Sequence, residues 1–98
     1  MIAPQPKPRT RILDRIAAKR EREAKALAFR LAVLTRDQHH CRACGRRVRR
    51  TVEAVPERAE VHHVLTRGAH PDKRFDLDNG LLVCLICHGR LQRHEMTL

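Results

Sequence analysis

Between Arg11 and Arg36 the chain has neither Gly nor Pro, and apolar side chains recur at Ile12, Ile16, Ala24, Leu27, Leu31 and Leu34, the spacing of one helix face. A single long helix is predicted there, with Thr10 placed to cap it. Its two halves differ. Arg11–Lys25 is mostly charged around a thin apolar line and should project as a basic rod, whereas Ala26–Leu34 is nearly all apolar and should pack on the rest of the chain. Ahead of the helix, residues 1–10 alternate Pro4, Pro6 and Pro8 with polar or basic residues, which predicts a disordered basic, proline-rich tail.

Beyond the helix the period shortens. Val48, Thr51, Val52 and Val55 give weak strand character before Pro56. Glu60–Leu65 reads as a strand and Leu81–Val83 as a second, separated by a polar loop containing Gly68, Pro71 and Asn79-Gly80. Leu85–His94 is expected to be a short helix with Cys87, Leu91 and His94 on one side. The result is a small α+β domain over residues 37–98, preceded by the helix at 11–36. A two-stranded hairpin is not stable alone in water, so this one needs a clamp and a cover.

Composition identifies the clamp. Ninety-eight residues with two Phe and no Tyr or Trp offer little large apolar surface to bury. The four cysteines fall in two pairs, Cys41-Arg42-Ala43-Cys44-Gly45 and Cys84-Leu85-Ile86-Cys87-His88-Gly89. Two sulfurs three residues apart reach one ion, and two such pairs complete a tetrahedral site, so Cys41, Cys44, Cys84 and Cys87 are read as ligands of a structural zinc with closed coordination. A disulfide framework is the competing account. The N-terminus lacks the apolar segment of a secretory signal, and no stretch approaches the roughly 20 apolar residues of a membrane span, so a cytoplasmic chain with no membrane association is expected.

Charge points to the partner. The formal net charge is +10, with ten Lys/Arg against three acids in residues 1–36 and eleven against eight in 37–98. Such an excess favours polyanions, chiefly the phosphate backbone of nucleic acid. The N-terminal rod either lies against DNA or is a solvated helix face. Arg46, Arg47, Arg49 and Arg50 form a second basic group after the first cysteine pair and a second candidate phosphate contact. With two aromatic residues, sequential base stacking on single strands is poorly supported.

The histidines carry the remaining chemistry. His62 and His63 are adjacent on a predicted strand, so their side chains leave opposite faces and cannot both be ordinary core residues. For phosphodiester hydrolysis that divergence is useful, because one imidazole can bind a metal while its neighbour deprotonates water. His88 follows the last cysteine at the start of a helix that the zinc would pin near the strand of His62; it also reads as an outer-shell or exchange ligand of the zinc. Asn79, in Asp78-Asn79-Gly80, reads on spacing alone as an ordinary turn residue. His39, His40, His70 and His94 read as surface residues.

The run from Cys41-x-x-Cys44-Gly45 through Glu60-Val61-His62-His63-Val64 to Asn79-Gly80-Leu81-Leu82-Val83-Cys84-x-x-Cys87-His88 resembles the HNH endonuclease family, in particular its small zinc-containing members common in bacteriophages and prophages. The resemblance implies a ββα-metal (His-Me finger) fold that nicks or cuts DNA with one divalent cation. By position it makes His63 the general base, Asn79 the residue that fixes the loop and so orients that base, and His88 and His62 ligands of the catalytic metal. His62 stands where an aspartate is usual; imidazole in place of carboxylate removes a negative charge and shifts preference from Mg²⁺ toward Mn²⁺, Co²⁺, Ni²⁺ or Zn²⁺. Arg90 and Arg93 on the last helix would bind the phosphate beside the cut, where members of the family often place a basic residue; Arg93 reads equally as part of a solvated helix face. Two other readings stay open: a catalytically silent zinc-ribbon-like module that binds nucleic acid or protein, and a nuclease working only within a phage DNA-packaging assembly docked through the N-terminal helix.

Overall fold

A computed structural model describes residues 9–97. Residues 1–8 of the expected tail lie outside the described residues. The elements in chain order are α1 (Arg9–Arg36), β1 (Ala59–His63), β2 (Gly80–Cys84) and α2 (Leu85–Gln92), with single 3₁₀ turns at Pro71–Lys73 and Leu77–Asn79 between the strands. Helix α1 begins two residues earlier than expected, with Thr10 inside its first turn.

The two strands are antiparallel, pairing Ala59 with Cys84, Glu60 with Val83, Val61 with Leu82, His62 with Leu81 and His63 with Gly80. Strand β1 stops at His63, earlier than the alternation predicted. The reason lies in Asn79: its backbone carbonyl accepts from Val64 N at 3.0 Å and its side-chain Oδ1 accepts from Leu65 N at 2.7 Å, so the chain turns onto a side chain where a strand partner would otherwise stand. The weak strand expected around Val48–Val55 does not form. Only isolated backbone bonds tie the segment: Arg49 N–H to Glu57 O at 2.9 Å and its carbonyl to Ala59 N at 2.8 Å, Val55 O to Arg58 N at 3.0 Å, and Val48 N–H to His39 O at 2.7 Å as the Val48 side chain turns into the core.

The core comprises Phe29, Val33 and Leu34 of α1, Val48, Leu82 and Val83, Leu91 of α2, and Cys41, Cys84 and Cys87. The apolar half of α1 therefore covers the hairpin, as its sequence predicts. The other half stands clear: every residue from Arg11 to Lys25 is exposed, including Ile12, Leu13 and Ile16. It is supported by the exposed i,i+4 pairs Lys19–Glu23 and Glu21–Lys25, each contributing about 0.3–0.5 kcal/mol. The rod stretches the molecule to 66 × 25 × 24 Å.

Two further devices lock the frame. Asp37, at the end of α1, is buried and accepts from Leu82 N at 3.1 Å and from Arg36 Nε and Nη2 at 2.9 and 2.8 Å. Arg36 also donates to the carbonyls of Leu77 and Gly80, both at 2.6 Å, so one ion pair joins the helix to both ends of the turn that enters β2. At its far end α2 closes with the paired bonds His94 N to Leu91 O and Glu95 N to Arg90 O, with His94 left-handed at φ 57°. His94 has therefore left the helix, which ends at Gln92, two residues short of the sequence expectation.

Candidate active site

The four cysteines converge, their Sγ atoms all lying within 4.8 Å of one another. The N–H of Cys44 points at Cys41 Sγ and that of Cys87 at Cys84 Sγ, both at 3.4 Å, which is how a Cys-x-x-Cys turn presents its first sulfur. A Zn–S bond of about 2.3 Å gives a tetrahedral edge of about 3.8 Å. Cys44 and Cys84, on different turns, are 3.8 Å apart. Gly45 at φ 80° makes the reversal of the first turn that a side chain would strain. Burial raises the Cys41 thiol, but the N–H groups of Cys44, Cys84 and Ala43 outweigh it and bring its pKa down to about 7. Burial, then the neighbouring thiols, push Cys87 up. Donor type, number and spacing fit zinc, which these four residues could hold.

Because Cys84 is both the last residue of β2 and the cap of α2, the cluster fixes the angle between strand and helix. That angle brings His88, on the first turns of α2, over His62 on β1, with ring centres 6.0 Å apart and planes at 70°. A ring nitrogen about 2.1 Å from a shared ion puts each ring centre roughly 3 Å from it, so this spacing suits two imidazoles on one cation. Burial, followed by the charges His88 and His63 would carry, holds the His62 pKa below 6.5. Both effects favour the neutral imidazole, the form whose lone pair a metal needs.

His63 leaves the opposite face of β1, toward α1, as strand alternation requires. Its ring stacks on Phe29, with centres 5.5 Å apart and planes at 25°. Opposite it in the register stands Gly80, and the absence of a side chain there is what admits Phe29: a Cβ on Gly80 would lie 2.6 Å from Phe29 Cζ and 2.9 Å from Val33 Cγ2. The His63 Nε2 lies 3.0 Å from the carbonyl of Arg74. A carbonyl only accepts, so Nε2 carries the hydrogen, and in the neutral ring the lone pair is then on Nδ1.

Asn79 sets the position of that carbonyl. Besides accepting from Leu65 N, its Nδ2 donates to Leu65 O at 3.0 Å and to Lys73 O at 3.1 Å, so one buried amide ties the start of the 64–79 loop to the residue before Arg74. His62, His63 and His88 line one open groove of about 640 Å³ together with Val61, Thr66, Arg67, Leu91, Gln92 and His94. The other residues singled out from sequence lie elsewhere: Arg46 and Arg47 are exposed beside the first cysteine turn, Arg90 is exposed on α2, and Arg93 is bonded through Nε and Nη2 to Glu95 at 3.1 and 3.0 Å.

Phe29, Arg74 and Asp37 escaped sequence reasoning. The stacking of Phe29 and the carbonyl of Arg74 depend on contacts 34 and 11 residues away, respectively, and carry no local signature. Asp37 had one signal, an acid directly after the last arginine of an apolar helix.

None of the curated proteins and none of the solved structures compared matches the chain. A family model described as HNH endonuclease matches residues 41–94, more than half of the chain and the segment that holds both cysteine turns, His62, His63, Asn79 and His88. The chain belongs to the HNH endonuclease family.

Proposed function

We propose that this protein is a metal-dependent endonuclease that hydrolyses DNA phosphodiester bonds, with His63 as general base, His62 and His88 holding a divalent cation, and Asn79 as the positioning residue for His63. The observation that carries this reading is the bond from His63 Nε2 to Arg74 O. It turns a strand histidine into an oriented base: the proton stays on Nε2, Nδ1 accepts one from water, and stacking on Phe29 limits ring rotation. Asn79 acts one step back, by holding the loop that presents the carbonyl. A cation held by His62 and His88 would supply Lewis acidity at a phosphate oxygen. Two imidazole ligands and no carboxylate favour Mn²⁺, Co²⁺, Ni²⁺ or Zn²⁺ over Mg²⁺.

The cysteine cluster, filled by zinc, is the scaffold of this arrangement and takes no part in hydrolysis. Arg46, Arg47 and Arg90 are exposed and serve as candidate DNA-phosphate contacts; Arg93 would first have to release Glu95. Docking on a phage packaging assembly rests on the resemblance alone and adds nothing to this reading.

Plasmid nicking in the presence of Mn²⁺, Mg²⁺, Co²⁺, Ni²⁺ or Zn²⁺ tests it. His63→Ala should lower the rate by about 10²–10⁴-fold, the usual contribution of a general base. Unchanged cleavage by that variant removes His63 from the mechanism. Salt-sensitive DNA binding by the parent without cleavage under any of these ions leaves the non-catalytic binding module as the reading.

A further inference from the structure

Three hollows adjoin along the length of β1. The first is lined by Arg30, Arg50, Thr51, Arg58 and Glu60 over an apolar floor that includes Leu34, Val61 and Leu82. The second shares Arg30, Glu60 and Val61 with it and adds Phe29, His63, Arg67, Arg74 and Phe75. The third, the histidine groove, shares Val61, His63 and Arg67 with the second. Shared walls make them one trough, which begins beside Arg50 and ends at His62 and His88.

Its charge is nearly all of one sign. Five arginines face it against one carboxylate, Glu60, which is already bound to Arg58 at 2.8 Å. Arg74 lies over the Phe75 ring at 5.0 Å. Among the described residues Arg30, Arg50 and Arg67 make no salt bridge, and all three are exposed. Other arginines are occupied: Arg49 by Glu57, Arg93 by Glu95, and Arg36 by Asp37. Arg46, Arg47 and Arg90 are also exposed and unpaired among the described residues, but only Arg30, Arg50 and Arg67 combine that freedom with a place in the trough that reaches the histidines. Hydrated, exposed guanidinium groups over an open apolar floor do not enclose a small anion. They suit an extended polyanion that meets them one after another.

Resting on the nuclease reading for the identity of the polyanion, we infer that Arg50, Arg30 and Arg67 form a phosphate track that leads a DNA strand along β1 to His63. Arg30 lies on α1, outside the matched family segment, so α1 contributes part of the DNA surface as well as part of the core. The track differs from Arg46, Arg47, Arg90 and Arg93, none of which lines the three hollows.

The test measures binding of the full chain, zinc-loaded and with no other divalent ion added, to a short DNA duplex and to the corresponding single strand as salt is varied. Each phosphate contact contributes about 0.9 to the slope of log affinity against log salt. Arg30→Gln, Arg50→Gln and Arg67→Gln should each lower the slope by about that amount, which makes the affinity loss over a fourfold rise in salt about 3.5-fold smaller than in the parent. Arg30→Lys should keep the parent slope. Arg49→Gln, which removes the same charge from a residue paired with Glu57, should leave the slope unchanged. If the track variants match the parent, or Arg49→Gln lowers the slope as much as they do, the track is wrong. A melting curve confirms that each variant is folded, and with three independent positions one misfolded variant does not decide the result. Nicking is scored separately: lowered slopes without any cleavage keep the track and sink the nuclease reading, whereas cleavage with unchanged slopes does the reverse. Duplex and single strand distinguish which form of the backbone fits.

Discussion

Gly80→Ala adds one methyl group at the point where α1, β1 and β2 meet, and it isolates packing from backbone strain. Gly80 has φ −103° and ψ 138°, an extended conformation that alanine adopts freely, so any cost is steric. The new Cβ would stand 2.6 Å from Phe29 Cζ, 2.9 Å from Val33 Cγ2 and 3.2 Å from Phe29 Cε2. Phe29 is 7% exposed and Val33 is fully buried, so neither side chain can swing into solvent and the helix itself must lift. Overpacking of this kind costs about 1–3 kcal/mol; at about 2 kcal/mol, a domain this small loses on the order of 10 °C in Tm. Because Phe29 stacks on His63, the same shift should disturb the base, and a displacement approaching 1 Å lowers the nicking rate by up to about 10²-fold. The assay is thermal denaturation of the zinc-loaded protein, with nicking measured well below both transitions. Phe29→Leu removes Cζ and Cε2 but leaves Val33 in place, so in that background Gly80→Ala should cost less, with a coupling of at least about 0.5 kcal/mol. An unchanged Tm, or an equal cost in both backgrounds, would refute the steric account.

Asn79→Asp keeps the acceptor for Leu65 N but sets a carboxylate oxygen against the carbonyls of Leu65 and Lys73; it should destabilise by about 2–4 kcal/mol and nearly abolish nicking, and parent-like rates at a temperature where the variant is folded would remove Asn79 from the positioning of His63. Chelating the zinc, or Cys84→Ser, should unfold the domain, since structural zinc supplies on the order of 10 kcal/mol against a total stability of about 5 kcal/mol for a chain this short; retention of the helical and sheet circular dichroism after metal removal, checked by metal analysis, would contradict this. Asp37→Asn should cost about 2–3 kcal/mol near neutral pH, with the loss measured by denaturant titration. The Arg36 hydrogen bonds hold the Asp37 pKa below its ordinary 3.8, so this stabilisation is complete above that value and fades as pH falls through the lower folded value. The gap between parent and variant should therefore narrow only on the acid side; a gap that is constant with pH would mean the charge is not what matters.

What the sequence disclosed and what it withheld divide along the range of the interactions. The metal cluster was legible because each half is a four-residue turn, and the opposed directions of His62 and His63 follow from strand alternation alone. The division of α1 into a packed half and a free half was written in its composition. The end of β1 was not, because Val64 and Leu65 have the apolar character of strand residues and only Asn79, fourteen residues away from Leu65, diverts them. The end of α2 escaped for a related reason: His94 fits the helical period, but the bonds to Leu91 and Arg90 require it to turn left-handed. Asn79 itself reads as a turn residue from its neighbours, and its buried, triply bonded side chain becomes visible only when the loop closes on it.

The contribution of α1 to the core has a consequence for transplanting this unit. A graft that begins at Cys41, where the family match starts, would leave Phe29, Val33, Leu34 and Asp37 behind. It would strip the cover from one face of a two-stranded sheet, unpair Leu82 N and take away the ring against which His63 rests. The smallest portable version must start on the N-terminal side of Phe29, near Ala26, where the helix first becomes partly buried. From there toward Arg9 the helix is interchangeable: one residue inserted into the exposed part would turn whatever is borne at its end by about 100° and move it about 1.5 Å, with no change at the histidines. The rod is in that sense an adjustable mount, and its length and phase can be set independently of the chemistry.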